Sequence, residues 1–254
     1  PMCAKPNFDR PIAHRGLHDS GRGIIENTAS AFAAAIEKGY AIECDVQLSR
    51  DGIPMIFHDD DLDRLTGVEG PVGARTMAEL ASFTLLGSAA GDTPQRFTEF
   101  LAQVAGRTLL QIELKQQPNR AATEVLAQTV MDALKGYRGP VTIESFDPNL
   151  LVEVRKRGAT MPLGIVTYAY DEPEWDQNLS GFQRVVLRHL LHYPITRFDF
   201  ISCRDKSLGL PAVRLFRALG VPVTTWTIKT PAAAMAVIGK ADQIVFEGFE
   251  PPSA

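Results

Sequence analysis

Glu43, Asp45 and Gln47 alternate with Ile42, Cys44 and Val46. In an extended strand that period of two puts both carboxylates on one face and the apolar groups on the other. Glu113 and Lys115 repeat the spacing, with Ile112 and Leu114 turned the opposite way. If the three carboxylates converge at about 5 Å, each pair repels by roughly 3 kcal/mol at an effective dielectric near 20. A proton or a cation must relieve that repulsion. The donors are all oxygens, without Cys or a His trio, which favours one hard divalent cation, Mg²⁺ or Ca²⁺, over Zn²⁺. Arg15 and Lys115 then leave the site one positive charge in excess, which a phosphodiester monoanion cancels. His14 and His58 are the candidate proton carriers, because an imidazole pKa near 6.5 makes both protonation states available at neutral pH.

These residues need a frame that brings them together. Apolar runs of strand length alternate with amphipathic helical stretches, the pattern of βα units around a parallel sheet. Candidate strands are Arg10 to Ala13, Ala41 to Leu48, Pro54 to Phe57, Leu109 to Leu114, Val141 to Glu144, Leu163 to Val166, Phe200 to Ser202, Val223 to Thr227 and Gln243 to Glu247. The second and third are too close for a parallel crossover and must form an antiparallel hairpin. Eight parallel strands remain, the number of a TIM (β/α)8 barrel, whose active sites lie at the C-terminal strand ends. There the sequence offers His14-Arg15-Gly16, Glu43 and Asp45, Glu113 and Lys115, Glu144-Ser145, Trp226 and Glu247.

A four-residue hairpin loop pairing Leu48 with Ile53 predicts Asp45 opposite Ile56 and Glu43 opposite His58. Helices are expected over Thr28 to Lys38 with Asn27 as N-cap, Arg120 to Lys135, Pro148 to Arg157, Leu179 to His192, Pro211 to Ala218 and Pro231 to Ile238. Residues 51–98 are too long for a simple crossover. They read as an inserted hairpin and loop subdomain after the second strand, with one short helix at Met77 to Ala81 and a polar turn at Asp59 to Asp63 in which Asp59 supports His58.

With 254 residues, 45% hydrophobic and 22% charged, the chain has the proportions of a globular enzyme and reads as a single catalytic barrel over residues 1–254. A net charge of −4 offers no basic surface for nucleic acid. The longest apolar stretches fall short of the roughly 18 residues that span a bilayer, so no integral membrane segment is expected. Cys3, Cys44 and Cys203 are too few for a disulfide framework, which points to the cytoplasm. The chain starts at Pro1 and shows no signal-peptide pattern. A small-molecule partner is expected, and a homo-oligomer is compatible with the sequence.

Taken in order, His14-Arg15-Gly16, Glu26-Asn27-Thr28, Glu43-x-Asp45, Asp51-Gly52, His58-Asp59 with Leu62 and Arg64, Glu113-x-Lys115 and Trp226-Thr227 resemble the pattern of the glycerophosphodiester phosphodiesterases. The resemblance implies a TIM barrel with a small inserted subdomain and a divalent metal on Glu43, Asp45 and Glu113. It implies an acid–base pair of His14 and His58, with Arg15 and Lys115 holding phosphate. Glu26 would orient a group of the site or join the metal, beside Asn27 at the helix start. The implied reaction is hydrolysis of deacylated phospholipids such as glycerophosphocholine to sn-glycerol 3-phosphate and an alcohol. Trp226 is either barrel packing or a wall for the glycerol or alcohol group.

Three positions depart from the family pattern: Ile25 stands for a Pro, Leu65 interrupts Arg-Thr-Thr, and Phe246-Glu247-Gly248 replaces an Asp-x-Pro. None is expected to touch the metal or acid–base residues. Two other functions fit the same residues. A lysophospholipase D-type enzyme would need an apolar lip, for which the insertion offers Met77, Leu80, Phe83, Leu85 and Leu86. A catalytically silent phosphodiester-binding barrel would be expected to have lost a histidine or a carboxylate.

Overall fold

The computed structural model describes residues 6–252; Cys3 lies outside them. The strands are β1 (Ile12–Ala13), β2 (Ala41–Leu48), β3 (Pro54–Ile56), β4 (Leu110–Leu114), β5 (Val141–Ser145), β6 (Leu163–Thr167), β7 (Phe200–Arg204), β8 (Val223–Ile228) and β9 (Gln243–Phe246). Their order is β1-β9-β8-β7-β6-β5-β4-β2-β3, and β1 also pairs with β2. All pairings are parallel except β2–β3. The eight parallel strands therefore close into a TIM barrel, with β3 attached as a hairpin arm.

The helices are α1 (Ala29–Glu37), α2 (Asp63–Thr66), α3 (Met77–Leu80), α4 (Phe97–Val104), α5 (Arg120–Leu134), α6 (Pro148–Lys156), α7 (Gly181–Arg188), α8 (Tyr193–Thr196), α9 (Pro211–Ala218) and α10 (Pro231–Ala236). The expected Leu179 to His192 helix is interrupted: α7 ends at Arg188, and a turn of helix, α8, follows it. Helix α4 was not expected. Its Phe97, Phe100, Leu101 and Val104 are all buried, the spacing of one helical face.

The N-cap of α1 is Thr28, whose side chain accepts from the Ala31 N–H. Asn27 does not cap. It sits in the left-handed region at φ 56°, a conformation Asn tolerates better than most residues, and its side chain turns toward β2.

The hairpin is one residue out of the expected register: Val46 pairs with Ile56, Gln47 with Met55 and Leu48 with Pro54. Ser49 donates its N–H to the Ile53 carbonyl, and Gly52, at φ 73°, donates to the Ser49 carbonyl. The loop is thus Arg50-Asp51-Gly52, a turn followed by a left-handed glycine, rather than four residues. Asp45 lies across from Phe57, whose N–H it accepts at 3.1 Å, and His58 is carried past the end of β3 instead of opposite Glu43.

Apolar side chains divide into three groups. Cys44, Val46, Ile112, Leu114, Ile143 and Ile165 face outward into the layer of helices, where Phe32, Phe100, Leu126, Val130, Leu150 and Leu151 meet them. Ile12, Ala41, Leu109 and Val245 plug the N-terminal end of the barrel. Met55, Phe57, Leu62, Leu65, Val72, Met77, Leu80 and Leu85 form a separate core under the segment after β2. Inside the barrel the register sets Asp45 beside Glu113, Glu113 beside Glu144 and Glu144 beside Gly164. The absent side chain of Gly164 is filled by the Phe200 ring, which would lie 2.2 Å from a Cβ there.

Candidate active site

At the C-terminal end of the barrel, Glu43, Asp45 and Glu113 each bring a carboxylate oxygen within 4.8 Å of the others. Glu43 and Asp45 are 3% and 1% exposed, so their charges are poorly hydrated. The two respond oppositely. Burial, then the neighbouring charges of Asp45 and Glu113, hold the Glu43 carboxyl well above the ordinary carboxylate range. Burial also works against Asp45, but Lys115, His58 and Arg15 outweigh it and keep that group ionised. The Lys115 ammonium lies 3.1 Å from Glu113 Oε1 and 3.6 Å from Asp45 Oδ1. Its burial favours loss of the proton, yet Glu113 and Asp45 raise its pKa.

Asn27 donates to Asp45 Oδ2 at 2.9 Å, which fixes the carboxylate from the loop that starts α1. The Arg15 backbone N–H donates to Glu43 Oε2 at 2.8 Å, while its guanidinium lies 3.4 Å from Asp45 Oδ2 and 2.7 Å from Glu26 Oε1. Arg64 clamps Glu26 from the other side, at 2.7 and 2.9 Å. Both Glu26 oxygens are thereby engaged by arginine, and its place is that of a brace between Arg15 and the segment after β3.

The two histidines are held alike. His14 Nδ1 lies 2.6 Å from Glu247 Oε2, and its Nε2 is 4.0 Å from Glu43 Oε2. His58 Nδ1 lies 2.8 Å from Asp59 Oδ1, and Arg64 anchors Asp59 through both oxygens at 2.6 and 2.9 Å. A carboxylate on Nδ1 fixes the tautomer and leaves Nε2 free to exchange a proton. Gln47 secures the His58 segment by donating to the carbonyls of Phe57 and Asp59 at 2.8 and 2.9 Å. Burial places the His14 imidazole below its ordinary pKa despite Glu247.

Glu247 corrects one expectation: the departure at the end of the last strand does touch His14, one of the two histidines expected to exchange protons. Besides His14 it meets Lys229 at 2.6 Å and His18 at 3.6 Å. His14, His18 and Glu247 also lie close enough together to form a second ligand cluster, as do Glu26, His58 and Asp59. His18 is not singled out by the sequence, and Glu144 stands there among the strand-end residues without an assigned role. Glu144 is 2% exposed, its Oε2 has no hydrogen-bond partner, and burial, then Glu113, push its pKa up to about 8. Its strand-end position was the available signal.

The Glu26 brace makes a pH prediction. Burial opposes its ionisation, but hydrogen bonds from Arg64 and the charges of Arg15 and Arg64 bring its pKa from 4.5 down to about 2. A depressed folded-state pKa stabilises the fold above the unfolded value, and that contribution is lost as pH falls from about 4.5 to about 2. Because Arg64 is half exposed, solvent screening reduces the contribution to roughly 1–2 kcal/mol. Glu26→Gln is therefore expected to lower unfolding stability by that amount at pH 7 and by less than half of it at pH 3. Equal losses in urea titrations at the two pH values would contradict this ionic role.

The model of the glycerophosphoryl diester phosphodiesterase family matches residues 14–246, the span from His14 to the last residue of β9. The chain belongs to the glycerophosphoryl diester phosphodiesterase family. A glycerophosphodiester phosphodiesterase of Caldanaerobacter subterraneus subsp. tengcongensis is 31% identical over 163 residues, 61% of this chain and 65% of that protein. The match thus spans just under two thirds of that relative's length. A glycerophosphodiester phosphodiesterase of Thermotoga maritima shares the fold with a TM-score of 0.70 and 26% identity over 92% of each chain. A phosphodiesterase of Oleispira antarctica, solved with the product sn-glycerol-3-phosphate, gives a TM-score of 0.75 at 24% identity over 93% of this chain and 91% of that one. At that identity the likeness speaks for the fold. Among the described residues of this glycerophosphoryl diester phosphodiesterase family member, no helix is long and apolar enough to cross a membrane.

Proposed function

We propose that the protein hydrolyses glycerophosphodiesters, such as glycerophosphocholine, to sn-glycerol 3-phosphate and an alcohol. The observation that carries the reading is the pair of carboxylate-held histidines, His14 with Glu247 and His58 with Asp59, at the same barrel end as three clustered carboxylates. Glu43, Asp45 and Glu113 would hold one divalent cation, Mg²⁺ or Ca²⁺. They suit it: their donors are all oxygens, close together and buried, with Lys115 as the nearest compensating ammonium. When bound, the ion would supply positive charge beside the phosphoryl oxygens.

The chain's own groups do the rest. Arg15 and Lys115 attract and orient the phosphodiester anion. One histidine takes the proton of the attacking glycerol hydroxyl as its oxygen bonds to phosphorus, the other returns a proton to the alcohol oxygen as that P–O bond breaks, and water then opens the cyclic phosphate to sn-glycerol 3-phosphate. Glu247 and Asp59 keep each ring in the tautomer that presents Nε2, while Asn27 and Glu26 hold Asp45 and Arg15 in place. The lysophospholipase D alternative loses its apolar lip, since Met77, Leu80 and Leu85 are buried and only Leu86 is well exposed among the large residues proposed for it. The silent-barrel alternative is disfavoured by the presence of both histidines and all three carboxylates.

Glycerophosphocholine incubated with purified protein is expected to release sn-glycerol 3-phosphate, to lose that activity on chelation, and to regain it with Mg²⁺ or Ca²⁺. Undiminished hydrolysis in chelator would remove the metal from the mechanism. Release of phosphocholine instead would overturn the assigned bond cleavage.

A further inference from the structure

The barrel mouth has a second half that the proposed chemistry does not use. Going round the closed sheet, the ends of β9, β1, β2 and β4, with the β3 arm that brings His58, carry the histidines and the clustered carboxylates, and the ends of β5, β6, β7 and β8 complete the circle. Four aromatic rings form a closed circuit on that second arc. Ring centroids are 5.6 Å apart for Phe146–Trp226, 6.4 Å for Trp226–Trp175, 5.3 Å for Trp175–Tyr168 and 6.1 Å for Tyr168–Phe146. Tyr170 stacks behind Tyr168 at 4.2 Å. The rings pack against one another into one continuous aromatic surface, and a cation resting on an exposed ring face is attracted over about 6 Å from its centroid.

The surrounding charges have one dominant sign. The segment carrying Trp175 reads Asp171-Glu172-Pro173-Glu174-Trp175-Asp176, with four acids and no base. Asp176 accepts from the Tyr168 hydroxyl, Glu172 pairs with Arg204, and Arg188 donates to the Ala169 carbonyl, so four acids face two arginines and the balance stays negative. The Arg204 guanidinium already rests over Trp175, 4.8 Å from the ring centroid. A cation is therefore compatible with this surface. Trp175 is 52% exposed, while Tyr168 is 4% exposed, so the circuit runs from the barrel wall to solvent.

We propose that this aromatic circuit with its acidic rim is the subsite for the departing alcohol and selects a cationic headgroup, a quaternary ammonium above all. The inference rests on the phosphodiesterase reading and deepens it. A diester whose phosphate sits on the basic and carboxylate arc must project one alcohol across the mouth, and the aromatic arc abuts the catalytic arc at both ends: Trp226 on β8 neighbours the strand leading to Glu247, and Phe146 follows β5 beside Glu113 on β4. An uncharged acyl chain would gain from the rings but not from the acids. A methylated ammonium gains from both, because its soft charge is poorly hydrated and its methyl groups pack on the ring faces.

The test compares glycerophosphocholine with the 3,3-dimethylbutyl ester of glycerophosphate, which has the same shape with carbon in place of the charged nitrogen. The expected kcat/KM ratio is at least tenfold in favour of choline, falling to about twofold or less in Trp175→Ala and remaining intermediate in Trp175→Phe. Equal rates on the two esters would overturn the inference and leave the phosphodiesterase reading standing. Failure to hydrolyse either would defeat that reading, and a binding experiment then decides the subsite separately. The chain has 2 tryptophans, both in the circuit, so intrinsic fluorescence reports on it directly. Choline, at ionic strength held constant with sodium chloride, is expected to change the emission saturably where 3,3-dimethylbutanol does not. No saturable change, or the same change with both, would overturn the proposal.

Discussion

Replacing His14 by alanine is expected to lower kcat on glycerophosphocholine by about 10²–10⁴-fold with little change in KM, the range for removing a positioned acid or base. The size follows from where the ring sits. His14 rises from the end of β1 with Nδ1 fixed by Glu247 at 2.6 Å and Nε2 toward the carboxylate cluster, 4.0 Å from Glu43. Glu247→Gln should then cost less, on the order of tenfold, because the imidazole remains but its tautomer is less firmly set. It should also shift the pH profile, which a purely structural defect would not do. Steady-state kinetics across pH, with circular dichroism to verify folding, would measure both variants. Near-wild-type kcat in His14→Ala would remove it from the acid–base pair.

Glu43→Gln is expected to separate stability from activity. Without a cation, burial and then the charges of Asp45 and Glu113 disfavour the ionised Glu43 carboxyl. A glutamine resembles the protonated carboxyl in shape, and its amide oxygen can still accept the Arg15 N–H now bonded to Glu43. In chelator, the variant should melt at or slightly above the wild-type temperature. Its catalytic rate should nevertheless fall by roughly 10³-fold, the equivalent of several kcal/mol of lost charge stabilisation. Calorimetric titration should show Mg²⁺ or Ca²⁺ binding in the wild type and little in the variant. A variant that binds the cation normally would exclude Glu43 as a ligand.

The eight parallel strands and the hairpin arm were readable because short crossovers cannot join parallel neighbours, a constraint that acts locally. Glu43, Asp45 and Glu113 were readable because strand alternation fixes their faces. The hairpin register was misjudged by a single residue, since Gly52 in the left-handed region shortens the loop by one. Helix α4 was present in the spacing of Phe97, Phe100, Leu101 and Val104, but the presumed end of the insertion cut across it.

Tertiary partners were harder to read. Asn27 looked like a helix cap because Asn usually serves there, and its bond to Asp45 spans 18 positions. The aromatic circuit draws its rings from positions after β5, after β6, in the following loop and within β8, so no local spacing announces it.

The His14–Glu247 contact joins residues 233 positions apart, across β1 and β9, the first and last strands of the ring. Barrel closure and histidine orientation are therefore the same event. Contacts of such separation form late, after the entropy of bringing distant chain segments together has been met. A nascent chain still missing β9 would carry most of its carboxylates and no oriented His14. On the proposed role of His14, full catalytic competence would wait until the final strand docks, and the onset of turnover would be a direct kinetic signal of completed folding.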